Sequence, residues 1–527
     1  MKKQFFTKLI ALSVLFFSAY LLTDAQAPNI QWQKCIGGSG NDFVNAVTNL
    51  SDGNYLSFGN TNSTDGDFNA YHGGNDAFLI KFNAQGNILW KKTYGGSGDD
   101  DFVSVIENND GGLIAIGITS SNDGQVHGNH GDNDAWLVNL NQNGKLLSQH
   151  CFGGTGDDEG LSIYKTHNGR IVFSGFSNSN DGDVHGNHGD YDGWAVKLKQ
   201  SGTIDWSKCF GGSNYDDLVP NITEIDNHLF FAGSTKSNDG DINGYHGGYD
   251  AYVLKLHQSG SIIFCRSYGG SAEEKGQEMI KTADGNIVIA GNSGSNDGNV
   301  TNNSNFSMWV PKINSTTGNI MWQAFIDDPA DTATGFGIIQ TCDHGFAVFG
   351  IIATGLSNIQ TAQGYVAKID ANGNTLWTRK FGGTDVDFFW KGTEAQNGNL
   401  LLAGETWSND GDVNGNHGGL DGWMVKLNNN GHRISSSTEN FSESGLKISP
   451  NPATNSTTIS FSFSQSKNVS IKIFDVNGRL IKTLADNVFE EGEHSVEWNA
   501  EDVKTGIYFL QMQTDDFVKT EKVIVTK

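Results

Sequence analysis

The stretch ILWKKTYGGSGDDDFVSVIENNDGGLIAIGITSSNDGQVHGNHGDNDAWLVNLNQNGK, residues 88–145, decides the fold. Four of its segments, 88–94, 102–106, 113–118 and 135–140, alternate apolar and polar residues and are rich in β-branched and aromatic types. That is the pattern of half-buried strands. Two connections are tight hairpins, Asp110-Gly111 and Asn143-Gly144, in which glycine supplies a positive φ. The other two, 95–100 and 121–134, are long and polar. Antiparallel neighbours alternate in direction, so both long loops belong on one face and both hairpins on the other.

The unit recurs. Aligned on its tryptophan-bearing strand, copies begin at Ile30, Ile88, Leu146, Ile204, Ile262, Ile320 and Thr375, with five steps of 58 residues and a last one of 55. The hairpins recur in register as Asp52-Gly53, Asn168-Gly169, Asp284-Gly285 and Asn397-Gly398, and as Gln85-Gly86, Ser201-Gly202, Ser259-Gly260 and Asn430-Gly431. A period this long without a helical pattern predicts propeller blades. No eighth tryptophan strand follows residues 423–427, so the strand at 30–36 is left to complete the last blade and close the ring. The expected fold is all-β: a seven-bladed β-propeller of four-stranded blades over 28–432. An open solenoid would need capping repeats, and the sequence shows none.

The ends read differently. Residues 1–27 carry Lys2, Lys3 and Lys8, an apolar run over 9–22 and Ala25-Gln26-Ala27, the layout of a cleavable signal peptide. The run falls short of the roughly 20 residues that span a bilayer and no second one exists, so no transmembrane segment is expected in the mature chain. Polar residues 433–445 read as a linker, and 446–527 as a small Ig-like β-sandwich with strands at 458–463, 469–474, 494–498, 507–513 and 518–525 and a turn at Asn477-Gly478.

Composition narrows the partners. Glycine is abundant at 68 of 527 residues and proline scarce at 6, which fits many tight turns. The net charge of −25, or −27 without the first 27 residues, repels a nucleic-acid backbone. Four cysteines, Cys35, Cys151, Cys209 and Cys265, share one strand position in different repeats, too far apart for disulfides, and Cys342 has no obvious partner. All five are expected unpaired.

Two resemblances rest on these residues. The run Asp-Ala-Trp-Leu-Val from Asp134, then a strand bearing tryptophan and a Tyr-Gly-Gly-Ser-Gly-Asp-Asp turn, in register elsewhere, resembles the SBBP-type β-propeller repeats of secreted bacterial proteins. That resemblance implies an architecture and no reaction. Four motifs in 446–527 resemble the type A C-terminal sorting domain of the type IX secretion system: Ser449-Pro450-Asn451-Pro452-Ala453, residues 473–479, Gly506-Ile507-Tyr508-Phe509, and Lys519 to Lys522 with Val523. This implies that the type IX machinery engages 446–527 and exports the chain across the outer membrane, with later removal of the domain and surface attachment or release.

The acidic long loop is the one constellation with possible chemistry. Its carboxylates recur as Asp65, Asp67 and Asp76; Asp123 and Asp134; Asp181, Asp183 and Asp192; Asp239, Asp241 and Asp250; and Asp410, Asp412 and Asp421. Asp-x-Asp spacing with glycine turns can supply the oxygens calcium takes, and 412–416 opens like an EF-type loop, although Trp423 stands where its last acid belongs. Asx-turns are the preferred reading over calcium, because Gln125 and Asn299 replace the second aspartate.

The in-register His72, His130, His188, His246 and His417 read as loop-packing residues, and Trp32, Trp90, Trp206, Trp322 and Trp377 as blade packing. A catalytic site should break the symmetry. The conspicuous breaks are Glu273-Glu274-Lys275, Asp327-Asp328-Pro329 and the lost acidic loop at 354–363, read here as drift before function. No nucleophile elbow, metalloprotease helix or phosphate loop is present, and no catalytic or cofactor-binding residue is assigned. The favoured function is a non-enzymatic surface or secreted module binding a glycan, protein or matrix partner. The alternatives are an extracellular hydrolase or lyase at repeats five and six, and a structural surface component.

Overall fold

The computed structural model describes residues 27–68, 70–218, 222–301, 306–328, 331–354, 361–395, 398–428, 446–463, 467–475, 479–490, 492–501, 503–514 and 518–527. All but the last residue of the expected signal peptide, the linker, Asn397, Asn430-Gly431, Asn477-Gly478, Pro329 and residues 355–360 lie outside them. The chain divides into two compact units, Met1–His432 and Arg433–Lys527.

Among the described residues the strands of the first unit form seven four-stranded antiparallel sheets. Six are runs of consecutive strands, such as Asp100–Glu107, Leu113–Thr119, Asp134–Leu140 and Leu146–Phe152. The seventh takes Asp387–Glu394, Leu400–Thr406 and Asp421–Leu427, and its fourth member is Ile30–Ile36 from the other end of the unit. Cys35 stands opposite Trp423 and Gln33 opposite Val425. This pairing removes the edge that Asp421–Leu427 would otherwise expose. The outer strands begin at the seven positions expected from the tryptophan alignment.

The first strand of each sheet lies innermost. Asn45 of the first sheet donates to Asp101 (2.8 Å) and to the Phe102 carbonyl (3.0 Å) of the second. Asn49 donates to Thr393 (2.8 Å) and to the Glu394 carbonyl (2.9 Å) of the seventh, so the last sheet packs back on the first. The core lies between adjacent sheets. Phe58 and Leu79 of the first sheet share a cluster with Phe102 and Trp136 of the second, and within single sheets Phe102 stacks on Trp136 with centroids 5.2 Å apart and Phe389 on Trp423 at 5.0 Å. Trp90 of one sheet leans on the hairpin of the next, where Gly144 has φ +69° and any Cβ would come 3.1 Å from the indole. Tyr94 donates to the carbonyl of that same glycine at 2.6 Å. Turn chemistry and sheet packing therefore require glycine at one position. All five cysteines are free, and burial pushes the Cys35 and Cys151 thiols up to about 12, which leaves them inert.

Among the described residues the second unit has two sheets. One orders Lys447–Ser449, Ser456–Phe463 and Gly492–Asn499; the other orders Leu480–Phe489, Lys467–Asp475, Gly506–Thr514 and Val518–Val525. Ile459, Ile471, Trp498, Leu510 and Val523 are among its core residues. Asn451 fastens the final strand, donating to the Lys522 carbonyl (2.8 Å) and accepting from the Ile524 amide (2.9 Å). The sequence pattern misses Lys447–Ser449 and Leu480–Phe489: the first is very short, and the second is an edge strand left mostly exposed, with no alternation to read.

Candidate functional site

The repeated polar residues build a framework. Asp42, Asp100, Asp158 and Asp387, with Glu274 in the fifth sheet, open the inner strands, and Asp216 bridges to Thr235 ahead of Thr223–Ile225 in the fourth; all six are buried. Asp100 accepts from the Thr119 hydroxyl through Oδ1, and from Ser121 Oγ (2.8 Å) and the Gly96 amide (2.8 Å) through Oδ2. Glu274 reproduces the arrangement with Ser293 (2.9 Å), Ser295 (2.9 Å) and Gly270 (2.7 Å). Each clasp joins a Gly-Gly turn to the end of the second strand, and this is why the inner strands start at an acid that a hydrophobicity reading leaves in the loop.

The calcium candidates divide into three separate roles. Asp65, Asp181, Asp239 and Asp410 are exposed, and their Oδ1 atoms accept the backbone amides of Ser39, Thr155, Ser213 and Thr384 at 2.7–2.8 Å. The backbone amides of Asp67, Asp183, Asp241 and Asp412 donate to the carbonyls of Gly37, Gly153, Gly211 and Gly382 at 2.8–2.9 Å. Asp76, Asp134, Asp192, Asp250 and Asp421 are wholly buried; the Oδ2 of each lies 2.6–3.0 Å from the Nδ1 of His72, His130, His188, His246 or His417 and also accepts that histidine's amide. Their Oδ1 atoms have no hydrogen-bond partner.

Among the described residues no three His, Cys, Asp or Glu side chains form a group that could hold a metal ion. Because these carboxylates are already engaged by backbone amides and histidines, melting curves of residues 28–527 with calcium and with chelator are expected to coincide. A shift of several degrees would assign ions to the five free Oδ1 atoms instead.

Inside this framework, at the loop end of the inner strands, the repeats diverge. Around the first two sheets the positions hold amides and acids: Asn75 Nδ2 donates to Asp99 (2.8 Å) and Asn133 Nδ2 to Asp157 (3.0 Å). At the equivalent positions of the third and fourth sheets stand Tyr191, Tyr215 and Tyr249. Their rings are contiguous, Tyr191 to Tyr215 at 5.8 Å and Tyr215 to Tyr249 at 6.2 Å, and Phe176 lies 5.5 Å from Tyr191. Tyr191 Oη donates to Asp157 (2.9 Å), and the ammoniums of Lys236 and Lys275 each stand 4.1 Å from the Tyr249 centroid. In the seventh sheet the position after the second strand is Trp407, 46% exposed.

Buried carboxyls near these rings and farther round the unit titrate well above the usual range. Burial pushes Asp217 up to about 7 and Asp101 to about 6; Glu159 rises to about 7 through burial first and then the repulsion of Asp157 and Asp101. Burial also takes Glu405 to about 8, although Trp390 Nε1 donates to it at 2.8 Å. Folded-state values above the unfolded ones mean that stability from these groups is complete below about pH 4 and is lost as pH rises through 6 to 8. The melting temperature is expected to be several degrees higher at pH 5 than at pH 8; a flat or opposite profile from calorimetry would contradict these environments.

The sequence reading fixed on other breaks in symmetry. Glu274 turns out to be a clasp residue and Lys275 a neighbour of Tyr249, while Asp327 is exposed and Asp328 and Asp331 pair with Lys380 at 3.0 and 2.6 Å. The tyrosines were missed, although they stand where repeats one and two have Asn or Asp.

Residues 447–526 match the secretion system C-terminal sorting domain family. No curated protein matches the chain. In solved structures the chain is similar to the WD40 domain of Neurospora crassa Pan2, at 9% identity and TM-score 0.43 over 78% of this chain and 98% of that one. It is also similar to the Dos1 propeller, at 10% identity and TM-score 0.37 over 74% and 94%, and to puromycin hydrolase, at 8% and 0.43 over 81% and 59%. Among the described residues no helix is long and apolar enough to cross a membrane. This propeller-like, all-β chain ends in a secretion-system sorting domain, which directs it through type IX secretion to the cell surface or the extracellular space.

Proposed function

We propose that the chain is an extracellular, non-enzymatic binding protein: a seven-bladed propeller of SBBP-type repeats over 28–432, freed of a signal peptide at 1–27 and joined by the linker 433–445 to an Ig-like sorting sandwich at 446–527. Its ligand sits at the loop-side mouth of the ring. One observation carries this reading. The acids, hydroxyls and histidines that recur from sheet to sheet are engaged in fastening loops, whereas the residues that escape the repeat are rings and amines gathered at one place. Rigid scaffolds commonly carry function on such loops.

In binding measurements on the mature chain, Tyr215→Ala is expected to weaken capture of its extracellular ligand about tenfold, while Leu147→Ala on the outer rim leaves it unchanged. Equal binding by both variants would remove the mouth from consideration. A hydrolase or lyase is the second reading, and Glu159 and Asp217, poised near neutrality beside aromatic rings, are what favour it. Turnover of an extracellular polymer abolished by Glu159→Gln would establish it.

A further inference from the structure

From the make-up of the mouth, and resting on the reading that this is where ligand binds, we infer that the ligand is an uncharged polysaccharide. A sugar ring offers an apolar C–H face, which aromatic rings complement, and hydroxyls that both donate and accept hydrogen bonds. The arc meets all three needs within one contiguous patch. Tyr191, Tyr215 and Tyr249 are partly exposed rings, Lys236 and Lys275 at one end are donors only, and Asp157 at the other end is an acceptor.

An apolar peptide would leave the amides and acids around the first two sheets, such as Asn75 with Asp99 and Asn133 with Asp157, without new partners. A polyanion meets a chain of net charge −25 and, at the patch itself, the acids Asp99 and Asp157. An uncharged chain of sugars pays no such repulsion, and the mixed donors and acceptors orient its hydroxyls while the rings hold its faces.

The test is affinity electrophoresis of the mature chain through gels containing neutral polysaccharides (β-glucan, xylan, mannan) or acidic ones (alginate, polygalacturonate), at low and high salt. The expected result is retardation by a neutral polymer, insensitive to salt, reduced about tenfold in Tyr215→Ala and kept in Tyr215→Phe, with thermal melts showing that both variants are folded. Retardation only by an acidic polymer, lost in salt and in Lys236→Gln, would overturn the sugar class while leaving the mouth as the site. Capture of a protein with no retardation by any polysaccharide would overturn it as well. Neutral-polymer binding unaffected in folded Tyr215→Ala would sink the mouth itself, which separates that failure from the failure of the ligand class.

Discussion

A chain of residues 37–527, which lacks the strand at 30–36, should lose cooperative unfolding and elute as aggregate on gel filtration. Those residues supply the fourth strand of the seventh sheet. Without them Ile36 and Cys35, 0% and 5% exposed, vanish from two inter-sheet clusters, and the Trp423 indole loses Gln33 as its acceptor at 3.0 Å. The apolar burial alone is worth about 3–5 kcal/mol. The unpaired edge of Asp421–Leu427 then becomes a template for another chain. A truncated protein that stayed monomeric and melted within a few degrees of the intact one would show that the ring does not depend on this strand.

The second large effect is expected at a clasp. Asp158 receives the Ser177 hydroxyl, Ser179 Oγ at 2.8 Å and the Gly154 amide at 2.6 Å, all buried. Asp158→Ala strands three donors at once. Each unsatisfied group costs about 1–3 kcal/mol, partly offset by water entering the space, so a loss of about 3–5 kcal/mol in chemical denaturation is expected. Asp158→Glu should cost far less, because the fifth sheet already holds Glu274 in the same role. Equal losses in the two variants would mean that side-chain volume, rather than the donors, decides the effect.

These clasps also explain what could be read from the chain alone. The starts of the outer strands were legible to the residue because the 58-residue period, with tryptophan in five of the seven, marks them without reference to anything distant. Asp100 and Asp134 begin strands two and one residues ahead of the apolar pattern, since each is a buried acid whose donors come from other segments. The paired roles of His130 and Asp134, four positions apart, were hidden for the same reason: spacing suggested a loop, and only the fold shows a buried carboxylate fastened by the imidazole. Tyr191, Tyr215 and Tyr249 are far apart in sequence, and nothing in one repeat announces that they meet. Comparing repeats position by position would have flagged them, whereas searching for catalytic motifs could not.

Every clasp joins residues about twenty positions apart, but the seam between Gln33 and Trp423 joins positions separated by 390. Six sheets can therefore assemble locally as soon as their own strands are available, and one must wait for both ends of the unit. Sealing needs both ends of the unit, and until it happens the terminal sheet keeps an edge open to an intruding strand or a protease.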